Sequence, residues 1–152
     1  MKNLYAAGYL AILLFTVQSL SAQTDPPVNQ HPAEKPKLFN DLAAKTEFSE
    51  ADLRRIFNSS ISEKVNFKLN TSLFTDAVIT EKVQKSKGLT SINCTLPAFN
   101  NALFNLSMIN TDGVIRFTGR IVSRDHGDIL LLQKENGKYF FIKQQQKFTM
   151  VE

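Results

Sequence analysis

From Lys64 onward the apolar residues recur with a period of two, and this alternation commits most of the chain to strands with one buried and one wet face. Val65, Phe67 and Leu69 alternate with Lys64, Asn66, Lys68 and Asn70, and Ala77, Ile79 and Val83 share one side of a second run over residues 76–82 and just beyond. A third strand is expected over 89–96, closed by Pro97, whose missing amide cannot donate to a sheet ladder. Ala102, Phe104, Leu106 and Met108 mark a fourth over 102–109. The pattern continues over 114–124, 129–134 and 138–143, with a last short run over 148–151. Between the runs stand Lys85-Ser86-Lys87-Gly88, Asn110-Thr111-Asp112-Gly113, Asp125-His126-Gly127-Asp128 and Glu135-Asn136-Gly137, residues that tolerate the positive φ of tight hairpins. Gly119, inside the 114–124 run, is expected to mark a bulge in preference to a close backbone approach.

Ahead of this meander the period changes. Ser49 can cap free amides at a helix start, Asp52 stands three residues on to reach back to it, and Phe48 is placed to staple against Leu53. Leu53, Ile56 and Phe57 then share one helical face, so a helix ending near residues 58–60 is expected to lie on the core. Residues 38–45, with Leu38 or Phe39 one turn from Leu42, form a weaker helical candidate. The fold class expected is therefore α+β: one or two short N-terminal helices packed on an antiparallel meander sheet or half-barrel of about six to seven strands.

The first 22 residues read as a cleavable signal peptide. Lys2 supplies the basic start, residues 10–17 an apolar run too short to span a bilayer, and Ala22 a small side chain before the cut. The expected localisation is outside the cytoplasm, periplasmic or secreted, with no membrane anchor once the signal is removed. Residues 23–37 carry four prolines and almost nothing apolar, the composition of a disordered linker, and residues 38–152 make one domain. The lone Cys94 can form no bridge within the chain, so a hydrophobic core must hold the fold; in phase with Ile92 and Leu96, it is expected to be buried and inert. Losing Lys2 leaves 17 basic side chains against 14 acidic ones, a balance of +3 without any block of like charge. Nucleic acid is thereby disfavoured as a partner.

Chemistry is sparse. The two histidines, His31 and His126, cannot form a cluster, and no nucleophile elbow, zinc-protease helix, phosphate loop or Cys–His pair is present. No cofactor is called for. Asp125, His126 and Asp128 could in principle ligate a divalent cation, but Asp and Gly there serve the hairpin itself, and no metal site is expected. The most specific polar pattern is Arg116, Arg120 and Arg124, which strand alternation places on one face at intervals of about 13 Å. Guanidinium forks in a row suit carboxylates of a partner protein or an acidic envelope polysaccharide; the plainer alternative is pairing with acids on neighbouring strands. Four glycosylation-type sequons, at Asn58, Asn70, Asn93 and Asn105, fit chance in an asparagine-rich chain.

The segment 117–128, followed by Leu130, Glu135-Asn136-Gly137, Tyr139 and Val151-Glu152, resembles small exported bacterial β-rich proteins of uncharacterised function, as does the Leu-Ser-Ala-Gln junction. The resemblance implies export and a β-rich fold and carries no site residues. The function expected is a non-catalytic exported domain binding a protein or cell-envelope component through Arg116, Arg120 and Arg124. Two alternatives stand beside it: a small hydrolase using His126 with Asp125 or Asp128, and a carrier of an apolar ligand lined by Phe67, Phe104, Phe117, Phe140 and Phe141.

Overall fold

Two hairpins fix the register of half the sheet. At the first, Asp112 and Gly113 have φ of 50° and 85°; at the second, Asn136 and Gly137 have 49° and 82°, both residues of each two-residue turn lying in the left-handed region that matches strand twist. The computed structural model describes residues 35–70 and 73–145. Eight antiparallel strands run through them: β1 (Lys45–Phe48), β2 (Lys64–Lys68), β3 (Phe74–Ser86), β4 (Leu89–Leu96), β5 (Ala102–Thr111), β6 (Val114–Val122), β7 (Asp128–Glu135) and β8 (Lys138–Gln145). They form one sheet in the order β1-β8-β7-β6-β5-β4-β3-β2, a meander whose first strand adds to its last.

The sheet curls into a half-barrel. Although β1 and β2 stand at opposite ends of the strand order, the rings of Phe48 and Phe67 meet edge to face at 5.5 Å. Phe48 also meets Phe141 at 4.9 Å, Phe141 meets Phe104 at 5.7 Å, and Phe104 meets Phe67 at 6.3 Å, so four strands send rings to one contiguous cluster. Such pairs add about 0.5–1.5 kcal/mol each beyond the apolar area they bury. Cys94, Ile121, Leu130 and Tyr139 complete the interior from the same inward-facing positions.

One α-helix, α1 (Glu50–Asn58), joins the two edge strands. Ser49 caps it, its Oγ accepting from the Ala51 and Asp52 amides at 3.2 and 3.4 Å. Asp52 does not reach back to the cap; its carboxylate takes Arg55 Nη2 at 2.6 Å. Leu53, Ile56 and Phe57 are buried, and Phe57 meets Phe117 of β6 at 5.9 Å. Lys82 of β3 donates to the Phe57 carbonyl at 2.8 Å, satisfying one of the oxygens that a helix end leaves without a partner.

Several expectations need correction. The class is mostly β, not α+β: about 60% of the described residues are strand and 11% helical, with eight strands where six to seven were expected and one α-helix where one or two were. Residues 38–44 form no helix. Their polar groups are taken by the sheet instead: Asp128 accepts from the Leu38 and Phe39 amides at 2.6 and 2.8 Å, and Lys143 Nζ donates to the Phe39 and Leu42 carbonyls at 3.1 and 2.7 Å. These bonds hold the chain open so that Lys45–Phe48 can pair with β8 as the strand that periodicity missed. Lys35 to Lys37, assigned to the linker, are tied to the β6–β7 loop through Gly127 N–H to Pro36 O at 2.9 Å and Lys35 Nζ to Arg124 O at 2.6 Å. The proposed signal peptide, the rest of the linker and the 148–151 strand lie outside the described residues.

Gly119 sits at no bulge. The β5–β6 register runs unbroken through Leu106↔Gly119, and the irregularities fall in β3 instead, between Ile79 and Glu81 and between Gln84 and Ser86. A Cβ on Gly119 would stand 2.5 Å from the Asn105 carbonyl oxygen and 3.3 Å from the Leu106 Cα. Both are backbone atoms that cannot swing aside. Gly119→Ala is therefore expected to destabilise the fold by about 1–3 kcal/mol in urea unfolding, as overpacking does; an unchanged midpoint would show that the two strands lie farther apart.

Candidate functional site

Arg116 and Arg120 project from the outer face of β6, between the inward-facing Phe117 and Ile121. Arg124 lies past the end of that strand, which stops at Val122 because Ser123 turns the chain: its Oγ accepts from the Asp125 amide at 3.4 Å and bonds His126 Nδ1 at 2.8 Å. The row is thus two arginines on a strand and a third in the following bend, all exposed.

None of the three guanidinium groups has an ion pair or hydrogen bond among the described residues. Five acids are occupied elsewhere: Glu50 and Asp52 on Arg54 and Arg55, Asp76 on Lys64, Glu47 on Lys138 and Glu135 on Lys45. Strand register explains why. Arg120 stands opposite Asn105 on one side and Leu131 on the other, and Arg116 stands opposite Ile109, so neither has a carboxylate as its direct cross-strand neighbour. Beyond Asn105 the same row continues as a side-chain ladder, Asn105 Nδ2 donating to Asn93 Oδ1 at 2.7 Å and Asn93 Nδ2 to Glu81 Oε2 at 2.5 Å. Two of the sequon asparagines are therefore half-buried ladder members.

Apolar side chains adjoin the arginines on the outer face. Val122, Ile129, Leu131 and Ile142 are half-buried there, and Leu103 is 40% exposed. A shallow slot of about 340 Å³ beside Arg116 also takes in Ile109, Thr118, Gln133 and Lys134. A second hollow of about 420 Å³, beside Arg124, takes in Lys35, Asn100, Asn101 and Ser123.

The other candidates are placed differently. His126 bonds Ser123, a residue that sequence reading did not single out, but the pair sits three residues apart in one turn and Ser123 is buried. Neither Asp125 nor Asp128 bonds the imidazole among the described residues; the oxygens of Asp128 accept from the amides of Leu38 and Phe39. A nucleophile, a base and an orienting acid are not brought together among the described residues. Of the five phenylalanines considered for an apolar ligand, Phe67, Phe104, Phe117 and Phe141 fill the interior and touch other rings, while Phe140 faces outward with Lys45 Nζ 4.3 Å from its ring centroid.

Comparison with family models, with curated proteins and with solved structures found no match to this chain.

Cys94, fully buried on β4, has its thiol pushed up to about 12 by desolvation, which penalises the thiolate. Because the thiolate is the nucleophile, Ellman's reagent at about pH 8 is expected to leave Cys94 untouched in the folded protein and to titrate it promptly in denaturant. Immediate reaction without denaturant would place the thiol at the surface.

Proposed function

We propose that this protein is an exported, non-catalytic binding domain whose contact surface is the outer face of β6, and that its partner is an anionic protein or cell-envelope component. The observation that carries the reading is the set of exposed arginines, Arg116, Arg120 and Arg124, without ion pairs among the described residues in a domain whose acids are largely engaged elsewhere. An ordinary solvated sheet face pairs its charges across strands; this one leaves two guanidinium groups, with a third in the bend that follows, available for planar anions. The half-buried Val122, Leu131 and Ile142 beside them add apolar surface that a partner can dehydrate, and arginine beside apolar side chains is a composition enriched at protein contacts. Export rests on the basic start, the short apolar run and Ala22 of the N-terminal segment.

A pull-down from envelope and culture-supernatant fractions, with wild type beside an Arg116→Ala/Arg120→Ala/Arg124→Ala variant, tests the reading. The expected result is a partner held by wild type and lost by the still-folded variant, with retention falling as salt is raised. Equal retention by both proteins would remove the arginines from the contact.

A further inference from the structure

The ladder between β6 and β7 stops short of both strands' ends. Its last pair is Gly119↔Leu132, yet β6 extends to Val114 and β7 to Glu135. Which backbone groups face the resulting gap follows from the hairpins. Each two-residue turn makes its flanking residues a hydrogen-bonded pair, Thr111 with Val114 and Glu135 with Lys138, and the direction of the main chain then alternates. Counting from Val114, Arg116 and Thr118 bond toward β5, while Ile115, Phe117 and Gly119 turn toward β7. Counting from Glu135, Gln133 bonds toward β8, while Lys134 and Leu132 turn toward β6. Past Gly119 and Leu132, the main chains of Ile115 and Phe117 therefore face that of Lys134 with no strand between them. Among these groups the Phe117 N–H takes a side-chain partner, donating to Tyr139 Oη at 3.0 Å.

The slot of about 340 Å³ lies at this gap, and its rims are cationic. Arg116 has no ion pair among the described residues. Lys134 has a long one, 4.0 Å to Glu50, and that carboxylate is held at 2.6 Å by Arg54. Free strand edges are templates for another strand, and basic side chains along an edge repel basic or like edges while admitting acidic ones.

We propose that the slot receives an extended acidic peptide segment of a partner protein, which pairs its backbone with Ile115, the Phe117 carbonyl and Lys134 and sets carboxylates against Arg116 on the outer face and Lys134 on the inner. This rests on the reading of the β6 face as the contact, and narrows the partner to a polypeptide. A polysaccharide could answer the charges, but only a peptide carries donors and acceptors at the strand repeat that the open edges present.

Three probes titrated calorimetrically into the purified protein test this: an octapeptide repeating Glu-Glu-Thr-Thr, whose adjacent glutamates point to opposite faces, the same octapeptide N-methylated at every second amide, and polygalacturonate. The parent peptide is expected to bind and to shift the amide resonances of Ile115 and Lys134, with affinity reduced at least about tenfold by N-methylation and at least about fivefold by Arg116→Ala. Equal binding of the parent and N-methylated peptides, or polygalacturonate binding as tightly as the parent, would overturn the strand-addition proposal and leave the arginine contact standing. Failure of all three probes also overturns it; a pull-down partner still lost with the arginines would then confine the failure to this proposal, and a partner indifferent to them would take the contact reading down as well.

Discussion

Phe48 packs its ring on Phe67 across a seam where no backbone hydrogen bond joins the two strands, and the curvature of the whole sheet follows that contact. An eight-stranded antiparallel meander could lie open with both faces wet; here the inward positions of β1, β2, β5 and β8 each present a phenylalanine, and a flat sheet would leave those rings in water. Rolling the sheet until the rings meet removes that surface. Closing β1 onto β2 by hydrogen bonds is not required for it, because α1 links those strands and buries Leu53, Ile56 and Phe57. Arg55 bridges part of the seam by donating to the Asn66 carbonyl at 2.6 Å.

With Phe67, Phe104, Phe117 and Phe141 in mutual or neighbouring ring contacts, the concave side is core, and what varies chemically is the convex surface and the places where pairing lapses. The arginines of β6 and the gap between β6 and β7 are adjacent features of that surface. Gly119 marks the boundary between them: it contributes the last β6–β7 pair and permits the close approach of β5 behind it.

Much of the sheet was legible in the sequence because period-two alternation and Asn-Gly or Asp-Gly turns are local signals. β4 occupies the expected residues 89–96, and the turns at Asp112–Gly113 and Asn136–Gly137 have the predicted positive φ. β1 was not legible. Its four residues, Lys-Thr-Glu-Phe, are too few to show a period, and it exists because Asp128 and Lys143, 89 to 104 residues away along the chain, hold the segment before it. The same long-range bonds removed the expected helix over 38–45. Arg116 and Arg120 could be placed on one face from alternation alone, whereas Arg124 could not, because Ser123 ends the strand through side-chain bonds that periodicity does not encode. Nor could sequence show the gap beside Arg116, which depends on where two strands diverge.

Residue-resolved amide hydrogen exchange distinguishes a sheet rolled shut by side chains, with its edges unpaired, from one closed by backbone bonds. Lys143 N–H donates to Ala44 O at 2.9 Å, so Thr46 and Phe48 bond toward β8 while Lys45 and Glu47 face the seam. Ile79 N–H donates to Glu63 O at 3.0 Å and Leu69 N–H to Leu73 O at 2.8 Å, so Val65 and Phe67 bond toward β3 while Lys64 and Lys68 face the seam. The prediction is alternation: slow exchange at Thr46, Phe48, Val65 and Phe67, fast exchange at Lys45, Glu47, Lys64 and Lys68. Uniformly slow exchange along both strands would mean that β1 and β2 pair through their backbones, and would contradict the account.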